Sequence, residues 1–197
     1  MADQFEAWNT IASSFDATRN RTWAHVDAFL DGLPTGARVL DVMCGNGRHL
    51  RAGMVGLDWS QGLVRRAGGV QGDATRLPFV DGAFDGAIYV AGLHGIPDRA
   101  GRLASLRELR RVVHGPVQVT VWSRHAPRFA EATEADVIVP WRRDGHDVAR
   151  TYHLYDEASL EADCRAAGWP HVDISDVTLA ADRPDNLVAR LRPTIPR

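Results

Sequence analysis

The sequence predicts an α/β fold in which a mostly parallel β-sheet has helices on both faces. From Arg38 onward, short apolar runs alternate with segments of turn residues or of helical periodicity, which is the pattern of parallel strands joined by helical crossovers. The length of 197 residues and the hydrophobic content of 45% suit one domain with one core. We therefore expect a single domain over residues 1–197.

The apolar runs place the expected parallel strands at Arg38–Asp41, Met54–Asp58, Gly69–Gly72, Phe84–Ala91 and Val117–Trp122. Between the last two, Arg99–Val113 has apolar residues at helical spacing and arginines on the other face, which predicts an amphipathic helix against the sheet. Another helix is expected over Asp156–Ala167. Residues 4–33 are predicted to be helical and to precede the sheet.

Two further strands are expected near the end of the chain, Val172–Leu179 and Asn186–Leu191. A turn around Asp182, Arg183 and Pro184 joins them, and because so few residues separate them they should be antiparallel. Residues 124–150, by contrast, mix charge, proline and tryptophan without sustained periodicity. We expect residues 124–155 to form an insertion on the substrate side of the sheet.

The charge balance limits the partners that this chain can bind. A formal net charge of −2 excludes nucleic-acid binding through bulk positive charge, and only a local basic patch remains open. All 23 basic residues are arginines, whose planar, permanently charged guanidinium groups suit carboxylate or phosphate. A GC-rich genome would produce the same bias, so the arginine content alone does not decide between the two explanations.

Cysteine content and hydropathy favour a reduced, cytoplasmic setting. Cys44 and Cys164 lie far apart in the sequence, and they predict neither a disulfide framework nor a metal site. The apolar stretches, such as Phe84–Leu93, are too short to span a bilayer, and residues 1–8 carry acids where an export signal needs bases. We expect no membrane association.

A glycine-containing turn after the first strand is the most informative motif. Asp41 ends the strand, and Gly45 and Gly47 follow in the turn, where they let a ligand approach the backbone. A nicotinamide cofactor would require three glycines facing its pyrophosphate, which an acid at position 41 would repel. An acid suits a ligand with an ammonium and a sulfonium group, and S-adenosylmethionine has both.

Two more acids follow the next two strands. Asp58 is placed to accept hydrogen bonds from ribose hydroxyls, and Asp73 to accept one from the amine of an adenine. Each aspartate alone could simply cap a helix. Together, at three successive strand ends, they predict a nucleoside–sulfonium site.

These residues resemble the class I S-adenosylmethionine-dependent methyltransferases. The loop after Asp41, then Asp58, Asp73 and the run from Leu77 to Asp85 match the family in order and spacing. The resemblance implies a Rossmann-like, seven-stranded, mostly parallel sheet with an antiparallel last strand. The family's loop usually begins with glycine where this chain has Met43. The implied cofactor contacts are Asp41, Met43, Gly45, Asn46, Gly47, Asp58, Trp59, Asp73, Ala74 and Ala91.

Three further stretches resemble the tRNA methyltransferases that esterify 5-carboxymethyluridine at the wobble position. They are Trp8–Arg19 with Trp23, Val90–His94, and Asp136–Arg143 followed by Arg150–Tyr155. The resemblance implies a tRNA anticodon loop as substrate, with no DNA. It also implies a heterodimer with a small zinc-binding activator protein, for which the predicted third strand offers an exposed sheet edge.

The chemistry implied by this resemblance requires positioning and no general base, because a carboxylate is already ionised at neutral pH. Arg19 and His94 are the candidates to hold the substrate carboxylate. The alternatives are a surface ion pair for Arg19 and a backbone-bonded helix-start residue for His94. The family commonly has a second histidine where this chain has Gly95.

The expected insertion supplies aromatic rings and guanidinium groups that suit a loop with splayed bases. The candidate substrate-binding residues are Trp141, Arg142, Arg143, Arg150, Tyr152 and His153. Alternatively, Trp141 and Tyr152 cover an apolar edge of the sheet. Two other functions stay open: methyl transfer to a small carboxylate or phenol, and a non-catalytic binding module that retains the fold.

Overall fold

The computed structural model describes residues 2–177 and 185–193, with side chains described from residue 6. The helices are α1 (Ala2–Asp16), α2 (Ala24–Asp31), α3 (Gln61–Ala67), α4 (Arg99–Val112) and α5 (Glu157–Ala166). The strands are β1 (Val39–Val42), β2 (Val55–Asp58), β3 (Val70–Gln71), β4 (Gly86–Val90), β5 (Val117–Trp122), β6 (Asp136–Arg143), β7 (His146–His153), β8 (His171–Val177) and β9 (Asn186–Arg192). No described helix is long and apolar enough to cross a membrane.

The main sheet has seven strands in the order β3-β2-β1-β4-β5-β9-β8. The pairings from β3 through β5 are parallel, whereas β9 is antiparallel to both β5 and β8. This confirms the predicted mostly parallel sheet with an antiparallel last strand. The turn predicted around Asp182, together with Leu179, lies outside the described residues.

Two predicted strands are shorter in the structure. The third keeps only Val70 and Gln71 of the predicted Gly69–Gly72, because it has one neighbour and little to pair with. The fourth begins at Gly86 instead of Phe84. Phe84 itself forms an isolated bridge with Val113. The helical segment predicted over residues 4–33 is divided into α1 and α2 by residues 17–23, which are not helical. The other predicted strand and helix boundaries lie within two residues of the observed ones wherever the chain is described.

Helices cover both faces of the main sheet. On one face, α4 and α5 pack with β4 and β5 around Leu106, Leu109 and Leu160, all fully buried. On the other, Val26 and Leu30 of α2 pack on the sheet. This packing leaves the carboxyl ends of the parallel strands to be covered by α1 and by a hairpin.

That hairpin corrects the prediction of an irregular segment over residues 124–150. β6 and β7 pair in register from Asp136 with His153 to Arg143 with His146. Asp144 and Gly145 form the turn, with φ of 51° and 78°, as a two-residue hairpin turn with the favoured twist requires. The Asp-Gly pair was a usable signal, but Pro140 inside the strand obscured it.

Candidate active site

A cleft of about 390 Å³ lies at the carboxyl ends of β1, β2, β4 and β5. β1 and β4 are neighbours, and the strand order changes direction between them. In open α/β sheets, ligands bind at such a switch point. The cleft wall is completed by α1, by the residues after it and by β7 of the hairpin.

Two buried aspartates form one end of the cleft. Asp41 is 1% exposed, and its Oδ2 atom has no hydrogen-bond partner among the residues that the structure describes. Burial and the nearby charge of Asp58 raise the pKa of Asp41 well above its usual value. Asp58 accepts hydrogen bonds from the backbone N–H groups of Gly45 at 2.9 Å and Ser60 at 2.8 Å, yet burial raises its pKa to about 6. Both carboxyls are therefore suited to pair with a cation or hydroxyl donor.

The loop between β1 and β2 lies against these acids. Gly45 and Gly47 have φ of 59° and 80°, a conformation that glycine adopts without strain. A Cβ atom on Gly47 would also lie 2.9 Å from the Cβ of Ala67, so a side chain there would clash. The loop backbone can therefore approach a ligand closely.

Met43 adopts the left-handed conformation without being a glycine. Its φ is 52°, and its sulfur accepts a hydrogen bond from the Tyr89 hydroxyl at 3.3 Å. A Cβ atom on Gly92 would lie 2.7 Å from the Cβ of Met43. The space for the Met43 side chain thus exists because residue 92 is glycine.

The structure brings most of the predicted cofactor residues into the cleft, but not all of them. Asn46, Trp59 and Ala91 line it, together with Asp41, Met43, Gly45 and Asp58. Gly47, Asp73 and Ala74 do not. The Oδ1 atom of Asp73 accepts hydrogen bonds from the N–H and hydroxyl of Thr75, both at 2.8 Å, so this carboxylate stabilises a local turn.

Arginines form the opposite end of the cleft. Arg19, Arg128 and Arg150 line it, and within the described part of the chain none of them lies at ion-pair distance from a carboxylate. Asp185 also lines the cleft, and its charge acts on Arg128. Burial lowers the pKa of each guanidinium. The Nη1 atom of Arg150 donates to the Tyr152 hydroxyl at 2.8 Å. The surface ion pair considered for Arg19 is therefore wrong.

The sequence analysis missed Arg128 and Trp122. The Arg128 guanidinium carbon lies 4.1 Å from the centroid of the Trp122 ring, and both residues line the cleft. Trp122 ends β5. Its position at the carboxyl end of a parallel strand was the signal that could have identified it.

His94, which was predicted to contact the substrate carboxylate, does not line the cleft. It is fully buried, and its ring lies 4.8 Å from Trp122 and 5.4 Å from Tyr152 between centroids. Its Nδ1 atom accepts the backbone N–H of Trp122 at 3.4 Å. Burial lowers its pKa to about 3, so it is neutral and supports the two aromatic rings from behind.

Four of the six predicted substrate residues do not line the cleft. Trp141 is 6% exposed and donates from Nε1 to the Ser14 hydroxyl at 2.9 Å, so it fixes the hairpin to α1. Arg142 pairs with Asp147, and His153 pairs with Asp136. Arg143 is exposed. Only Arg150 and Tyr152 of the six line the cleft.

Comparison with known proteins assigns the family. A profile described as a methyltransferase domain matches residues 40–115. The chain is 38% identical to a protein of Encephalitozoon cuniculi named as a methyltransferase, over 81% of this chain and 83% of that protein. It is 29% identical to the tRNA (carboxymethyluridine(34)-5-O)-methyltransferase of Schizosaccharomyces pombe, over 83% of this chain and 86% of that protein. The match to the enzyme of the same name from Xenopus tropicalis is 36% identical over 60% of this chain and spans only 20% of that longer protein.

Solved structures agree with the fold. The DhpI–SAM–HEP complex superposes with a TM-score of 0.71 at 23% identity, covering 98% of this chain and 97% of that one. The complex between the Haloferax volcanii Trm112 methyltransferase activator and a methyltransferase gives a TM-score of 0.69 at 19% identity, covering 99% and 98%. With the acids, the glycine loop and the strand order described above, these matches show that the chain belongs to the class I S-adenosylmethionine-dependent methyltransferases.

Proposed function

We propose that this methyltransferase esterifies the carboxylate of 5-carboxymethyluridine at the wobble position of tRNA. The observation behind the proposal is the pair of arginines, Arg19 and Arg150, that line the cleft opposite the acids without an ion pair to any described carboxylate. Guanidinium groups that are desolvated and lack a counter-ion are suited to an anionic substrate group. Relatives with 29% and 36% identity are named for this reaction.

The buried acids fit the methyl donor. The Oδ2 atom of Asp41, which has no partner among the described residues, can accept a hydrogen bond from an ammonium group. Each oxygen of the Asp58 carboxylate already accepts one backbone N–H and can accept a further hydrogen bond from a ribose hydroxyl. S-adenosylmethionine, when bound, supplies an electrophilic methyl group on a sulfonium sulfur.

The substrate side requires orientation without proton transfer. The arginines hold an ionised carboxylate, so no residue has to act as a base. As an oxygen–carbon bond forms and the carbon–sulfur bond breaks, the negative charge of the carboxylate and the positive charge on sulfur both disappear. Arg150 and Tyr152, which are buried, exclude water from this step and so favour the loss of charge.

Methyl transfer to defined substrates tests the proposal. Anticodon stem-loops with 5-carboxymethyluridine are compared with the same RNA carrying uridine and with free small carboxylic acids. We expect transfer to the first only. Arg150→Gln should lower kcat/KM about tenfold to a hundredfold, because it removes a charged hydrogen bond to the carboxylate. Arg110→Gln, on the exposed face of α4, is the matched control.

Other results would assign another function. Transfer to free acids but not to RNA would identify a small-molecule methyltransferase. Failure to bind S-adenosylhomocysteine would identify a non-catalytic module.

We further propose that a zinc-binding activator protein docks on β3. This strand pairs with β2 alone at one end of the sheet, and Val70 on it is 37% exposed. An unpaired edge accepts a strand from another chain. One structural neighbour is a complex with a methyltransferase activator.

Co-expression with an activator homologue tests this surface. We expect a higher soluble yield for the wild type and for Val80→Lys, an exposed control off the strand, and no gain for Val70→Lys. An equal gain in soluble yield for the wild type and both variants would contradict the assignment.

A further inference from the structure

A buried asparagine, Asn186, lines the cleft next to Asp185. It is the first residue of β9 and is 1% exposed. Its Nδ2 atom donates to the Asp185 carboxylate at 2.8 Å, whereas its Oδ1 atom has no hydrogen-bond partner among the described residues. Because a buried amide oxygen without a partner costs free energy, this atom is suited to accept a hydrogen bond from a ligand.

The Asp185 carboxylate fixes which way round the amide lies. A carboxylate accepts hydrogen bonds, so it faces the NH2 group of Asn186 and leaves the amide oxygen for a ligand. Asn186 also pairs directly opposite Trp122 in the sheet, and the side chains of such a pair lie on the same face. The amide therefore lies on the same sheet face as the Trp122 ring, which lines the cleft.

The surrounding charges determine the kind of donor that this oxygen is suited to bind. The negative charge of Asp185 interacts with the positive charge of Arg128, on which the charge of Arg19 also acts. Two positive charges thus face one negative charge, which disfavours an entering ammonium group. A neutral N–H group carries no charge to be repelled, so the oxygen is suited to an uncharged donor.

The order of the groups along the cleft points to the same kind of ligand. Charge interactions join Arg150 to Arg19, Arg19 to Arg128 and Arg128 to Asp185, which holds Asn186. Guanidinium groups therefore come first in this order, and an uncharged acceptor comes last. Around the ring of 5-carboxymethyluracil, the carboxylate on C5 is followed by the O4 acceptor and then by the N3–H donor. The two orders are complementary.

We propose that the Oδ1 atom of Asn186 accepts a hydrogen bond from N3–H of the target uridine and so selects a uracil ring. This role rests on the proposed function, since it takes 5-carboxymethyluridine as the substrate. With the carboxylate held by Arg19 and Arg150, O4 accepts from Arg128 and N3–H reaches Asn186. Trp122 supplies a face on which the base stacks. Cytosine has an acceptor at N3 and an amino donor at C4, so both positions would meet a group of the same kind.

Two anticodon stem-loops that differ by one methyl group test the assignment. One carries 5-carboxymethyluridine, and the other carries 3-methyl-5-carboxymethyluridine, which has no N3–H donor. We expect the wild type to prefer the first in kcat/KM by about tenfold to a hundredfold. Asn186→Ala should reduce this preference below about threefold, mainly by losing activity on the first RNA. Asn20→Ala, which replaces an exposed asparagine that also lines the cleft, should keep the full preference.

The outcomes separate this role from a structural one. S-adenosylhomocysteine should bind Asn186→Ala as tightly as it binds the wild type, and weaker binding would mean that Asn186 supports the fold instead. Equal activity of the wild type on both RNAs needs no variant to be measured and would overturn the assignment. Undiminished activity of Asn186→Ala on the first RNA, or an equal loss on both, would also overturn it while the proposed function stands. A wild type that methylates neither RNA would overturn both.

Discussion

Acidification should destabilise this protein through His49, and the size of the effect can be worked out. His49 is 4% exposed with neither ring nitrogen hydrogen-bonded, and burial lowers its pKa from 6.5 to about 4. The charges of Arg48, Arg51 and His25 contribute to this lowering of the pKa, and that of Asp27 opposes it. Between these two pKa values the unfolded chain binds a proton that the folded chain does not. The folded state is therefore destabilised as the pH falls through 6.5. By pH 5 the free energy of unfolding is lower by about 2 kcal/mol.

Urea unfolding at pH 7.5 and pH 5.0 measures this loss in the wild type and in His49→Gln. The wild type should lose about 2 kcal/mol more between the two pH values than the variant. Asp41 and Asp58, whose pKa values are raised, act in the opposite direction but are present in both proteins and cancel. The exposed His171→Gln serves as control. If wild type and His49→Gln lost the same free energy, the reasoning would be refuted.

Three further predictions concern the cleft and the hairpin. Binding of S-adenosylhomocysteine should weaken about tenfold per pH unit below 6, because the pKa of Asp58 is about 6 and the ionised form accepts hydroxyl donors; calorimetry on Asp58→Asn should show a smaller slope. Met43→Gly should be more stable than Met43→Ala by about 1 kcal/mol in urea unfolding, since φ is 52°, and the reverse order would contradict a strained loop. Trp141→Phe and Ser14→Ala, combined in a double-mutant cycle, should give a coupling of about 1 kcal/mol for their buried hydrogen bond, and additivity would exclude it.

The sheet could be predicted from the sequence because each of its signals is local. A buried parallel strand is a short apolar run, and β5 was predicted with its observed bounds. The hairpin of β6 and β7 gave a weaker signal. It lies outside the main sheet, and its strands expose alternate residues such as Ile138, which is 70% exposed. A strand without two buried faces lacks the continuous apolar run that identified the others.

The cofactor end of the site was also predictable, because its residues follow consecutive strands. The loop after β1 and Asp58 at the end of β2 reach the same sheet edge by topology alone. Asp73 does not line the cleft, because β3 is short and the Asp73 carboxylate stabilises the turn that follows it. At the substrate end, side chains from α1, β5 and β7 meet only after folding. Whether His94 or Trp122 faces the cleft depends on packing that sequence periodicity does not determine.

The separation of charge along the cleft also determines which ligand binds at which end. Opposite or like unit charges 4 Å apart interact by about 4 kcal/mol at an effective dielectric constant of 20. At the acid end, Asp41 attracts a cationic donor and repels a carboxylate, while Arg150 at the other end does the reverse. Two ligands of opposite charge are therefore oriented before any contact specific to a base is made. Under the proposed function, discrimination of the uridine ring falls to the neutral rings that contact these arginines, Trp122 and Tyr152, and to the amide of Asn186.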